Sequence, residues 1–184
     1  MIKVTFITGN QSKADYLSKY LGHPVDHIKL ELDEIQSTDL NKIVEHKVRQ
    51  AYEKIKKPVI VEDVALEFDA FGGLPGPFIK FFIEKVPFKI ICSMINSGLT
   101  RKATAKCVLS YFDGSNLKLF EGRLDGEIAM TPSGNNGYGW DKIFIPKGYT
   151  VTRASLNEAD DKKTYLQIKP FKKLKEYLES IDDK

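Results

Sequence analysis

The chain has 184 residues, 42% hydrophobic and 11% aromatic, with 13 glycines and 8 prolines, which suffices for a sizeable core and excludes a disordered, collagen-like or disulfide-stapled chain. Its 28 basic and 25 acidic residues leave a formal charge of +3, too balanced to demand a nucleic-acid or membrane partner. No apolar run approaches the roughly 18 residues that cross a bilayer, no leader pattern precedes the first strand pattern, and Cys92 and Cys107 stand among apolar neighbours as reduced core thiols do; a cytoplasmic address is expected.

Residues 2–7 are rich in β-branched side chains and predict a strand. Tyr16, Leu17, Tyr20 and Leu21 recur at helical spacing over 12–21, and Gly22 closes that helix, so the chain opens as strand, turn, helix. A second strand is expected over 25–32. Asp39 then caps a long helix whose apolar face is Leu40, Ile43, Val44, Val48, Ala51 and Ile55. Lys56-Lys57-Pro58 stops it, and 59–61 reads as a short buried strand. The turn-dense loop 72–77 leads to helices over 78–84 and 88–96. Strands over 102–111 and 117–129 flank an Asp113-Gly114 turn. A Gly- and Asn-rich loop follows over 131–141, then a helical turn over 159–164. The last helix starts at Pro170 and is expected to bury Phe171, Leu174, Tyr177, Leu178 and Ile181. The lysines from Lys169 to Lys175 read as a solvated helix face. No repeat or linker interrupts the pattern, so one domain is expected over 1–184.

Three constellations are candidates for chemistry. Thr8-Gly9-Asn10-Gln11-Ser12-Lys13 lies between a strand and a helix, where backbone N–H groups, a hydroxyl, an amide and a lysine can cradle phosphate; an ordinary strand–helix turn has the same appearance. Glu62-Asp63 follows a buried strand and is either a metal-ligand or general-base pair beside a crevice or a solvated strand end. Glu34, after another strand, is a further oxygen donor. Tyr138-Gly139-Trp140-Asp141 offers a π-face and an acceptor to a flat ligand, or a tryptophan that plugs the core. His23, His27 and His46 form no metal set with the cysteines, and no nucleophile elbow exists. Hard oxygen donors with lysines point to magnesium and phosphate.

Taken in order, Thr8-Gly9-Asn10-x-x-Lys13, Val61-Glu62-Asp63, Gly72-Gly73-Leu74-Pro75-Gly76 and Gly139-Trp140-Asp141-x-x-Phe144 resemble the inosine triphosphate pyrophosphatase family, the house-cleaning XTP/dITP diphosphatases. The resemblance spans nearly the whole chain and continues through Gly122-Arg123 and Gly148-Tyr149. It implies an elongated, two-lobed α/β fold with a central mixed sheet flanked by helices and an active-site cleft between the lobes. It also implies a homodimer and Mg2+-dependent hydrolysis of a nucleoside triphosphate to monophosphate and pyrophosphate. By this resemblance Thr8, Gly9, Asn10 and Lys13 hold the triphosphate, and Lys47 contacts phosphate. Glu34 and Asp63 bind the metal; Asp63 also orients the attacking water, with Glu62 beside it. Tyr138, Gly139, Trp140 and Asp141 line the base pocket.

One stretch departs from the family. Where Ser-His-Arg is usual before the last helix, this chain has Tyr165-Leu166-Gln167, followed by Pro170. The charged readers of a 6-keto oxygen are absent, which is worth about tenfold to hundredfold in discrimination. Gln167 can donate and accept, so an altered base preference is expected. Two alternatives stand beside the enzyme reading: a nucleotide-binding protein that keeps the fold without turnover, and a nucleic-acid contact through the lysine-rich last helix.

Overall fold

The computed structural model describes residues 3–22 and 24–182; His23 lies outside them. Asn10 caps the first helix with its side chain, and Gly22 ends it in the left-handed conformation that suits glycine. Between them runs α1 (Gln11–Leu21), preceded by β1 (Thr5–Ile7) and followed by β2 (Asp26–Ile28). Asp39 caps α2 (Leu40–Ile55), which buries Leu40, Ile43, Val44, Val48 and Ala51. Then come β3 (Val59–Phe68), β4 (Pro75–Gly76), α3 (Ile79–Lys85), α4 (Phe88–Met94), β5 (Lys102–Phe112) and β6 (Leu117–Ile128). The chain finishes with β7 (Phe144–Pro146), α5 (Glu158–Ile168) and α6 (Phe171–Asp182). The sheet is open, mixed and flanked by helices. Its order is β2-β1-β3-β5-β6-β7, with β4 paired to β3. β1 pairs parallel with both β2 and β3, whereas β3–β4 and β6–β7 are antiparallel.

By residue contacts the chain divides into two compact units. The first comprises Met1–Asp63, Val108–Glu121 and Lys169–Lys184, and the second Val64–Cys107 and Gly122–Ile168. Within the first, Ile7, Val48, Ala51, Val59, Val61 and Phe112 form a core cluster between strands and α2. Within the second, Leu66, Phe68, Ile91, Cys92, Cys107, Ile128 and Phe144 belong to a larger one.

Several expectations need correction. β1 and β2 have three residues each, shorter than the patterns 2–7 and 25–32. Leu30 and Leu32 pack against the first core cluster without being in the strand, which is why their alternation resembled one. β3 has ten residues, so Glu62 and Asp63 lie in mid-strand and do not terminate it. The strand continues because Ala65, Leu66 and Phe68 are buried beyond them and lysines compensate both carboxylates. α5 extends well past one turn; its buried residues are Thr164 and Ile168, too few to leave an apolar stripe. In α6, Tyr177 and Ile181 are half-buried. Lys169 is buried and does not belong to the solvated lysine face.

Candidate active site

β1 is flanked by parallel strands on both sides. The chain leaves it through α1 to β2 and returns through α2 to β3 on the other side. The carboxyl end of β1 is thus a topological switch point, where open α/β sheets place their ligands. Residues 8–13 begin there. The Thr8 N–H donates to the Ile28 carbonyl at 3.0 Å. Thr8 Oγ1 accepts from the Asn10 N–H at 3.1 Å, and Asn10 Oδ1 accepts from the Lys13 N–H at 3.2 Å. These bonds shape the turn and cap α1 while Thr8 keeps its own O–H for a further acceptor. Beside Gly9 runs the stem of Lys29, whose Cδ lies 3.1 Å from where a Cβ would stand. Lys29 carried no signal in the sequence.

β1 ends at Ile7, one residue beyond the register pair Phe6↔Ile60, and β3 runs on past that end into Glu62 and Asp63. The pleat then sends Glu62 and Asp63 to opposite faces. Glu62 turns away from α2, and its Oε1 accepts from Lys13 Nζ at 3.0 Å and Lys169 Nζ at 2.8 Å. Asp63 shares its face with Val59 and Val61, on which α2 packs. There Lys47 Nζ donates to Asp63 Oδ2 at 3.1 Å and to Glu34 Oε1 at 2.8 Å. Burial by itself raises the Glu62 carboxyl, but Lys169 and then Lys13 outweigh it and hold it down at about 2. Burial likewise opposes the Lys47 charge, and Asp63 with Glu34 overcomes this and raises it above the ordinary lysine value.

Glu34 and Asp63 therefore meet at one cation although they stand far apart in sequence. Two hard carboxylates around one positive centre fit magnesium, which takes one or two carboxylates and fills its octahedron with water and phosphate oxygens. Among the described residues no group of three potential metal ligands occurs, so phosphate and water would have to complete such a site.

In the second unit, Tyr138 is 89% exposed at the head of a 3₁₀ turn, Gly139–Lys142. Trp140 is half-buried and packs edge-on against Phe144 at 5.6 Å. Asp141 is 6% exposed; its Oδ2 accepts from the Tyr138 N–H at 2.8 Å, and Oδ1 lies 3.3 Å from Arg153 Nη1. Arg153 also pairs with Asp161. The Asp141 carboxylate thus ties down the loop that presents Tyr138. Gln167 is exposed on α5, with Tyr165 and Leu166 half-buried. Arg153 escaped the sequence reading, because its carboxylate partners are not neighbours in the chain. Lys169 also escaped it, although its position between Ile168 and Pro170-Phe171 was a signal of burial.

A cavity of about 570 Å³ in the second unit, lined among others by Lys102, Arg123, Asp125 and Tyr149, contains none of the predicted site residues. The remaining family-like motifs have structural reasons. A Cβ on Gly122 would lie 2.2 Å from the Ile168 carbonyl, and the Tyr149 hydroxyl donates to Asp160.

Comparison with known proteins adds to this geometry. The Ham1 family profile matches residues 4–177. The chain is 40% identical to inosine triphosphate pyrophosphatase 2 of Trypanosoma cruzi (strain CL Brener) over 180 residues, covering 96% of this chain and 92% of that protein. It is 34% identical to inosine triphosphate pyrophosphatase of Schizosaccharomyces pombe, covering 96% and 95%. Among solved structures it resembles the Ham1 protein of Staphylococcus aureus, with a TM-score of 0.80, 25% identity and coverage of 97% and 98%. A HAM1 protein from Coxiella burnetii shares the fold, with a TM-score of 0.83 at 21% identity and coverage of 98% and 100%.

Proposed function

Because the chain belongs to the Ham1 family, we propose that it is a magnesium-dependent nucleoside triphosphate pyrophosphatase. In this reading it converts a non-standard purine nucleotide such as ITP, dITP or XTP to monophosphate and pyrophosphate, with relaxed base discrimination. The observation that carries the proposal is the meeting of Glu34 and Asp63 at the Lys47 ammonium, in the unit that also holds the Thr8–Lys13 turn. The relatives named inosine triphosphate pyrophosphatase support the reaction class.

Each residue has a role that its surroundings support. Asp63 orients a water and accepts its proton as the water oxygen bonds to the α-phosphorus and the bond to the bridging oxygen breaks. Lys47, held between two carboxylates, moves its ammonium onto phosphate when substrate arrives. Lys13, Thr8 and the N–H groups at the start of α1 receive the outer phosphates. Glu34 and Asp63 would hold magnesium, and the chemistry it would supply there is neutralisation of phosphate charge. Tyr138 and Trp140 offer aromatic faces to the base. The discrimination is relaxed because Tyr165-Leu166-Gln167 provides no cation for a keto oxygen. A homodimer and a cytoplasmic address complete the reading; apolar Phe81, Ile90 and Met94 are exposed on α3 and α4, and Cys92 and Cys107 are both buried, as core thiols of a reducing compartment are.

Pyrophosphate release from ITP, dITP, XTP, ATP and GTP, with magnesium and with a chelator, tests this. The expected result is magnesium-dependent release, with less than the family's usual preference for deaminated bases. Asp63→Asn should lower kcat by roughly a hundredfold or more while triphosphate binding survives. Absence of release from all five nucleotides would overturn the enzyme reading.

A further inference from the structure

Lys169 lies just before α6 and is 7% exposed, unlike Lys172 and Lys173 of the same lysine run, which are exposed. Its Nζ is 2.8 Å from Glu62 Oε1, the same oxygen that Lys13 Nζ approaches at 3.0 Å. The Glu62 side chain is 5% exposed and that of Lys13 42%. One buried carboxylate is therefore shared by the ammonium of a buried lysine from the C-terminal side and that of a half-exposed lysine from α1. We propose that Lys169 is a positioning residue that holds Glu62 so that Lys13 is available to the polyphosphate; this rests on the reading of the site given above.

The argument is one of charge balance. A carboxylate out of water must keep a cation and hydrogen-bond donors beside it, because stripping it of a partner is strongly unfavourable. With two ammoniums on one carboxylate, the three groups carry a net positive charge, and the half-exposed Lys13 presents it. When an anionic phosphate draws Lys13 outward, Lys169 stays behind and keeps Glu62 compensated. Were Lys13 the sole partner, each phosphate contact would leave Glu62 uncompensated, and that cost would be subtracted from binding. Lys169 touches no substrate in this scheme and acts through Glu62 on Lys13.

Binding of inorganic tripolyphosphate by calorimetry, alongside steady-state kinetics, tests the assignment. Lys169→Met should weaken tripolyphosphate binding and raise KM by roughly tenfold or more, with kcat changed by less than about threefold. Lys169→Arg should restore both. The double variant Glu62→Gln/Lys169→Met should recover tripolyphosphate binding, because no buried charge then competes for Lys13; Glu62→Gln alone should bind it at least as tightly as the unmodified protein. The last measurement decides the matter even if Lys169→Met does not fold. Unchanged binding in Lys169→Met, or binding lost in Glu62→Gln, would overturn the inference while the proposed function stands. If the unmodified protein neither binds tripolyphosphate nor releases pyrophosphate, the functional reading fails, and the inference fails with it.

Discussion

Glu62 shows how one side chain links ionisation to folding. Burial pushes its carboxyl up, and the ammoniums of Lys169 and Lys13 push it further down, from 4.5 to about 2. The folded protein thus releases this proton more readily than the unfolded chain does. The stability so contributed is complete above about pH 4.5 and is lost as the pH falls toward 2. Thermal midpoints recorded across that window should fall with pH, and Glu62→Gln should give a flatter profile; parallel slopes would show that the group contributes nothing to acid unfolding. The carboxylate pair was visible in the sequence as Glu62-Asp63, but as residues following a strand, so that their opposite faces emerged only with the full length of β3. Which lysine would meet which carboxylate was not visible, since Lys13, Lys47 and Lys169 reach them from three separate segments.

Helix starts were the most legible elements because a cap is a local event. Asp39 Oδ1 accepts from the Asn41 and Lys42 N–H groups at 3.0 and 3.4 Å. Asp39→Ala should cost about 1 kcal/mol and lower the melting temperature by roughly 2–4 °C; an unchanged melting temperature would mean that water caps α2 equally well. Strand lengths were less legible. A strand persists as far as its neighbours supply hydrogen bonds and cover, so β3 runs through two carboxylates that looked like its end. α5 was read as a single turn because its exposed, polar surface has no apolar stripe. The stop of α2 at Lys56 was correctly placed, yet its geometry was not: Lys56 takes a left-handed conformation with φ 55°, which glycine ordinarily supplies.

At the scale of the molecule, each unit has its own core and its own ionic or hydrogen-bonded anchor. In the second unit Arg101 donates to four carbonyls, those of Ile95, Cys92, Ile128 and Ala129, at 2.6–3.0 Å. It ties the end of α4 to the end of β6. Arg101→Met leaves those acceptors without their charged donor and should cost on the order of 3 kcal/mol. Amide exchange should then quicken chiefly within 64–107 and 122–168, with smaller changes in α1 and α2. Equal loss of protection in both units would show that they unfold as one.

The sequence by itself determined the capped helices, the buried face of α2, the ordered motifs and, through them, family membership, because caps, periodicity and motif spacing are encoded within a few neighbouring residues. The tertiary structure alone decided that Glu34 and Asp63 share Lys47, that Glu62 holds both Lys13 and Lys169, and that Asp141 is bound to Arg153. Each of these is a pairing of charges across long stretches of chain. Buried charge is tolerated only where folding brings a counter-charge to it, and no local pattern records which one arrives.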